Sequence, residues 1–269
     1  MATTQLEHIA KDIRKSVLIS LTEAGSGHLG GSLGLADVFT VLYFQIMKHF
    51  PEKPNHPDRD KLILSIGHIA PVLYATLSEA GYFEKEELLT LRKLGSRLQG
   101  HPGRDHGLPG LELSAGSLGQ GLSVAVGMAL ADKMDEKKRE IFCILGDGEL
   151  QEGSVWEAAM SASHHNLNHL CAIVDRNGVQ IDGQTSDVMN IEPLADKWKA
   201  FGWEVLECDG NNIDSLKETF SKFPTVNKPT VILARTKMGK GIKTIENDFH
   251  WHGRVPAKSE LPDFLKELE

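Results

Sequence analysis

A carboxylate flanked by glycines, Gly146-Asp147-Gly148, is followed after 28 intervening residues by Asn177. Each lies just past an apolar run, Ile141 to Leu145 and Leu170 to Val174, that reads as a buried strand. The alanine-rich stretch between them, with Trp156, Ala159 and Met160, reads as a helix beginning between Glu149 and Ser154. A right-handed crossover through that helix brings both strand ends to one edge of a parallel sheet, where Asp147 and Asn177 meet. A carboxylate, an amide oxygen and backbone carbonyls of a glycine-rich turn form a hard oxygen set suited to Mg2+ or Ca2+. They are too few to fill an octahedral shell, so phosphate oxygens and water complete it. The glycines let the backbone approach an anion, and the helix start aims free N–H groups at it. The chemistry predicted for this edge is metal-assisted diphosphate binding, although Gly-Asp-Gly by itself is also a common turn signal.

Histidines supply the second kind of chemistry. His28 sits in Gly25-Ser26-Gly27-His28-Leu29-Gly30-Gly31, His68 follows a strand read at Lys61 to Ser65, and His101 opens Gly100-His101-Pro102-Gly103. His250 and His252 lie in Asp248-Phe249-His250-Trp251-His252-Gly253. An imidazole just past a strand end lies where open α/β sheets bind ligands. Taken alone, His28 reads first as a solvated turn residue, and His68 reads equally well as a residue hydrogen-bonding its loop. His106 reads as solvated.

The elements that must position these residues follow from periodicity. Leu6, Ile9, Ile13, Val17, Leu18 and Leu21 recur at helical spacing, so an amphipathic helix from Thr4 to Ala24 opens the chain. Further helices are predicted at Leu35–Lys48, from Val72, at Glu84–Leu94, at Leu122–Lys133, at Pro193–Phe201 and at Ile213–Phe223, with strands at Trp203–Cys208 and Thr230–Ala234. The stretch from Gly100 to Gly116 is a long irregular loop, a length that is usually functional or disordered. The Leu122–Lys133 helix is apolar almost all round, which predicts burial on every side, either at the centre of the core or at a subunit interface. Lys237 to Gly241 forms a basic glycine loop, and the tail from Ser259 gives no functional signal.

With 269 residues, 41% hydrophobic, the chain can bury a full core. A net charge of −8 without a basic block excludes nucleic acid as the main partner. Cys143, Cys171 and Cys208 fall in or at the end of predicted strands and read as reduced core cysteines of a cytoplasmic protein. No apolar run approaches the roughly 20 residues of a membrane span, and no hydrophobic leader opens the chain, so neither secretion nor a membrane anchor is predicted.

The Gly146-Asp147-Gly148 to Asn177 spacing resembles the thiamine diphosphate motif, and the continuation Gly153 and Val179-Gln180-Ile181-Asp182-Gly183 resembles the transketolase branch of that superfamily. Four further segments are similar in the same order. They are SGHLGGSLG, with Leu29 where the family has proline; SIGHIAPVLYA around His68; the Gly-His-Pro at 100–102; and AGSLGQG, with Ser117 in place of proline. A histidine directly followed by glycine selects His252 over His250.

The resemblance implies an α/β fold, a doubly wound and mainly parallel sheet flanked by helices. It implies thiamine diphosphate and Mg2+ (or Ca2+) as cofactors, with Asp147, Asn177 and the Val179 carbonyl as metal ligands. Gly148 and His68 would serve the diphosphate, Gly116 and Leu118 the ring pocket, and Ile181 the thiazolium. His28 and His252 would move protons and stabilise an oxyanion, His101 would bind the donor, and Glu152 would join a carboxylate network with a partner's glutamate. Histidine suits proton transfer because its unperturbed pKa lies near ~6.5. The implied reaction carries a two-carbon ketol unit from a ketose phosphate to an aldose phosphate, in pentose phosphate-type carbohydrate metabolism.

Residues 1–269 are expected to form one diphosphate-binding domain, without the pyrimidine-binding and C-terminal domains of a whole transketolase. A separately encoded subunit is therefore the expected partner, in an α2β2 heterotetramer. Other thiamine diphosphate enzymes, such as a deoxyxylulose phosphate synthase-like enzyme or a specialised sugar transketolase, and a non-catalytic interaction module remain open.

Overall fold

Ile141, Phe142, Cys143, Ile144 and Leu145 are all fully buried, as a strand covered on both faces must be. Phe142 and Ile144 enter one core, while Ile141, Cys143 and Leu145 enter another on the opposite face. That alternation follows from the period of two along a strand. The structure is a computed structural model and describes residues 1–225 and 227–269. Its strands are β1 (Lys61–Leu64), β2 (Ile141–Gly146), β3 (Leu170–Arg176), β4 (Val179–Gln180), β5 (Gly183–Gln184), β6 (Glu204–Asp209) and β7 (Thr230–Arg235). Five of them form one sheet in the order β1-β2-β3-β7-β6, every neighbouring pair parallel. β4 and β5 form a separate antiparallel hairpin.

Helices close both faces. In chain order they are α1 (Thr3–Ala24), α2 (Gly30–Gly34), α3 (Ala36–Val41), α4 (Ala70–Glu79), α5 (Gly121–Met134), α6 (Gly153–His164), α7 (Thr185–Val188), α8 (Leu194–Ala200), α9 (Ile213–Phe220) and α10 (Leu261–Glu267). The core holding Phe142 takes side chains of α1, α3, α4 and α9, and the core holding Cys143 takes those of α5, α6 and α8. The mainly parallel, helix-flanked α/β architecture read from the sequence is the one observed. Cys143, Cys171 and Cys208 are buried free thiols. No helix among the described residues is long and apolar enough to cross a membrane.

Three local expectations are corrected. The helix read at Leu35–Lys48 is instead α2, α3 and a π-helical turn, Leu42–Ile46, and it starts earlier because Gly30 to Gly34 are all buried. Tertiary packing there overrides the poor helix propensity of glycine. The helix read at Glu84–Leu94 shrinks to a 3-10 turn, Lys85–Thr90, closed by Arg92 at φ 62. Its buried anchors Leu88 and Leu91 stand three apart, which matches a period of three.

The third correction concerns α5, which is not a central helix. Leu122, Ala125 and Ala129 face the core, while Ser123, Gly127, Ala131 and Met134 are exposed. Within this chain only one side of the helix is covered, and its weakly polar outer side faces away from the core.

Candidate active site

Register sets the first half of the site. Gly146 pairs with Asp175 across β2 and β3, so the residues just beyond, Asp147 and Asn177, emerge side by side at the carboxyl edge. Asp147 accepts the Gly148 N–H at 2.8 Å through Oδ1 and the Gly178 N–H at 2.6 Å through Oδ2. Asn177 donates to Asp175 Oδ2 at 2.8 Å and accepts the Val179 N–H at 2.8 Å. The β4–β5 hairpin then folds over the turn: Gln151 Nε2 donates to Gln180 Oε1 at 2.7 Å and to the Met189 carbonyl at 3.0 Å. Behind the turn, the Trp156 indole N–H donates to the Leu150 carbonyl at 2.9 Å.

Asp147, Glu149 and Asp175 are each only 2% exposed. Burial, and then the neighbouring charge of Asp175, push Asp147 up to about 7 against the pull of its two backbone N–H donors. Burial pushes Asp175 up to about 6, and hydrogen bonds from Thr236 and Asn177 resist it. Two adjacent buried carboxylates, opposed by little beyond the charge of Arg176, which is itself paired with Glu192, are costly, and a divalent cation would lower that cost. Among the described residues no three His, Cys, Asp or Glu side chains could hold a metal by themselves. Asp147, Asn177 and the Val179 carbonyl are the oxygens at this corner that could hold one, a mixed set that would leave positions for a ligand's own oxygens.

Imidazoles form the second half. α1 ends where Gly25 enters the left-handed region at φ 67, and its N–H caps the Leu21 carbonyl at 3.0 Å. This turns the chain toward His28. His68 lies in a 3-10 turn, Gly67–Ile69, between β1 and α4, and His101 in the long loop. His252 follows a 3-10 turn, Phe249–Trp251, and Trp251 packs edge-on against Phe264 of α10 at 5.4 Å. The tail, which carries no functional signal in the sequence, therefore holds the His252 segment in place. His250 is turned outward and pairs with Asp248 at 2.7 Å.

The ring centroids of His28 lie 4.9 Å from His68, 6.4 Å from His101 and 5.7 Å from His252, and His68 lies 5.2 Å from His252. Burial first, then the charges of His252, His101 and Arg92, lower His28 to about 4. Burial and the other three imidazoles lower His68 to about 3. Burial likewise lowers His101, helped by Arg92, and His252. All four rings are neutral near pH 7, so each offers one donor and one acceptor nitrogen. The buried Nδ1 of His28 has no hydrogen-bond partner among the described residues, an atom that a ligand hydroxyl or carbonyl could satisfy.

The two halves face one cavity of about 370 Å³. His28, His68, His101 and His252 line it together with Asp147, Gly148, Asn177 and Val179. Gly116 and Leu118 form another wall, and Ile181 and Glu152 stand on the rim. Ile181 is 61% exposed.

Sequence reasoning missed Asp175 and Glu149, which also line the cavity, and Arg92. Asp175 was readable as the one acid inside the apolar β3 run, and Glu149 as the acid directly after the Gly-Asp-Gly turn. Arg92 had no local signal. Its guanidinium lies where a Cβ on Gly100 would meet it at 2.7 Å, and only the fold brings it beside His28 and His101.

A parallel sheet with a polar cavity at the carboxyl ends of its strands defines an α/β cofactor-binding protein. Residues 6–266 match the family described as transketolase, thiamine diphosphate binding domain, and the chain belongs to that family as a thiamine diphosphate-dependent, ketol-transferring subunit. It is 40% identical over 269 residues to an apulose-4-phosphate transketolase subunit from Phocaeicola vulgatus, covering 100% of this chain and 95% of that one. It is 45% identical over 265 residues to the 6-deoxy-6-sulfo-D-fructose transketolase subunit SqwG of a Clostridium species, covering 98% and 96%. The crystal structure of transketolase from Campylobacter jejuni superimposes with a TM-score of 0.93 at 34% identity, covering 99% of this chain and 43% of that one. The chain thus spans nearly all of the subunit relatives and less than half of that longer transketolase.

Residues present fit the cofactor. The acidic corner asks for a cation, the cavity wall at Gly116 has open space where a Cβ would stand, and the His28 nitrogen lacks a partner among the described residues.

Proposed function

We propose that this chain is the diphosphate-binding subunit of a split transketolase. It works with a separately encoded subunit that supplies the pyrimidine-binding and C-terminal domains, in an α2β2 assembly. The observation that carries this reading is the single cavity in which an acidic, glycine-flanked corner faces four buried imidazoles. The near-equal length of relatives named as transketolase subunits supports the division into two chains. The outward apolar residues Gly127, Ala131 and Met134 of α5, with Met160 of α6 at 59% exposure, support a subunit contact there.

In this reading Asp147, Asn177 and the Val179 carbonyl hold Mg2+ or Ca2+ against the diphosphate, and Gly148 and His68 contact its oxygens. Gly116 and Leu118 flank the rings, and Ile181 shields the thiazolium. When bound, thiamine diphosphate supplies the carbon nucleophile for ketose cleavage. His101 binds donor hydroxyls. His28 and His252 hold and return protons at the substrate's hydroxyl and carbonyl oxygens, and as neutral rings they can do so in either direction. Glu152, on the rim, joins the partner's carboxylate across the subunit contact.

The substrates are anionic sugars outside the common pool, a narrower assignment favoured by the substrates named for the relatives at 40% and 45% identity. The Arg92 guanidinium, beside Gly100 and within charge range of His101, is a cation that could meet such a donor from outside the cavity lining.

The test is reconstitution. The purified chain with Mg2+ and thiamine diphosphate should bind the cofactor weakly and turn over no ketose, and adding the partner subunit should restore ketol transfer on a panel of ketose phosphates and sulfonates. Turnover by the chain alone would show that it needs no partner.

A further inference from the structure

Residues 116–120 bring Gly116 and Leu118 to the cavity with little to hold them. Gly116, Ser117 and Gln120 are exposed, and among the described residues only one backbone N–H of this stretch, that of Gly119, reaches a protein acceptor. The acceptor is Glu149 Oε1, at 2.7 Å. The same oxygen takes the Ser65 hydroxyl, and Oε2 takes the Gly146 N–H at 3.1 Å. Ser65 Oγ in turn accepts the Gly121 N–H at 3.0 Å. One buried side chain therefore ties together the ends of β1 and β2 and the segment entering α5.

The chemistry of the knot requires a carboxylate. Three donors converge on Glu149, and an ionised carboxylate is the side chain that only accepts. A glutamine would set its own N–H2 against one of them. Glycine is equally required at 119: φ is +81, and a Cβ would lie 2.7 Å from both Glu152 Cβ and Ser154 Oγ. The chain passes this point with no side chain of its own to bury, so hydrogen bonds do the anchoring: Glu149 takes the Gly119 N–H, and the Ser154 hydroxyl donates to the Gly119 carbonyl at 3.0 Å.

We infer that Glu149 is a positioning residue, holding the Gly116–Gly121 segment against the Gly146–Gly148 turn so that the ring-lining and diphosphate-binding walls keep a fixed spacing. Its effect on affinity rests on the thiamine diphosphate reading above; the clamp itself does not.

Glu149→Gln, Ser65→Ala and the double variant of the full chain test this by three measurements. Amide hydrogen exchange of residues 114–122 is followed without cofactor. Thiamine diphosphate affinity is measured by calorimetry with Mg2+, and stability by the urea midpoint.

Both single variants should speed exchange in 114–122 while leaving the β3 strand unchanged. Each should weaken cofactor binding about tenfold, as expected for losing a hydrogen bond to a charged group. The double variant should be no worse than Glu149→Gln, since the two side chains act as a unit. Ser65→Ala decides the matter if Glu149→Gln does not fold. Wild-type exchange of the segment in the folded variants overturns the clamp. Faster exchange with unchanged affinity, or an affinity loss that only tracks the urea midpoint, overturns the positioning role. A wild-type chain that binds no thiamine diphosphate, with variants that still loosen 114–122, leaves the clamp standing and removes the cofactor reading instead.

Discussion

The two ends of the cavity are built in opposite ways. At the sheet edge, Asp147, Asp175 and Asn177 come from two adjacent strand ends, are tied by hydrogen bonds before any ligand arrives, and concentrate buried negative charge. At the far end four histidines arrive from four segments at 28, 68, 101 and 252, touch mainly one another, and are kept neutral by burial. The first end is a hydrogen-bonded acidic corner, and the second is a cluster of neutral rings that the proposed function makes proton carriers. Binding and turnover should therefore separate cleanly between them.

Asp147→Ala should break the first end alone. It should abolish Mg2+-dependent thiamine diphosphate binding, a loss of at least ~100-fold, the upper range for losing even a supporting group at a metal site. Calorimetry with Mg2+ and with EDTA measures it, and retained metal-dependent binding would remove Asp147 from the ligand set. The converse is His28→Ala. In the enzyme reconstituted with its partner, kcat should fall by about 10²–10⁴, the usual share of a general acid-base group, with cofactor affinity unchanged. A parallel loss of affinity would merge the two ends into one function.

Arg92→Ala sharpens the comparison from the solvent side. Steady-state assays should show KM for an anionic ketose rising about five- to tenfold, as for a partly exposed charged hydrogen bond, with kcat nearly constant. Equal effects on a neutral ketose would exclude charge recognition.

The remaining effect is on stability. The unfolded chain protonates His28 and His68 near ~6.5, whereas the folded chain does so only at about 4 and about 3. The unfolded state thus binds more protons below that pH, and stability, undiminished above it, falls as pH drops toward the folded values. His68→Asn should flatten this decline by up to about 1 kcal/mol per pH unit, read from urea titrations between pH 7 and 4. An unchanged slope would mean that His68 is not held neutral.

The same contrast explains what could be read from the sequence. Asp147 and Asn177 sit in one local unit whose strands and helix announce themselves by apolar pattern, and parallel register does the rest. The histidines form a group only through resemblance to a family, because no local rule tells that His28 and His252 meet. Arg92 is silent since its position depends on a 3-10 turn closing with positive φ. The outward face of α5 is ambiguous in the sequence because a covering partner and a covering core leave the same apolar imprint. The role of the tail is hidden in one contact, Phe264 on Trp251.

Trp156, bonded through its indole to the carbonyl of Leu150 directly behind the Gly-Asp-Gly turn, also lies 5.2 Å from Trp198, which in turn lies 4.9 Å from Trp203. In the proposed reading, cofactor loading at this turn should therefore alter the emission of an indole coupled to two others, a change readable without label or substrate, and unchanged emission on loading would mean that the turn is already fully formed.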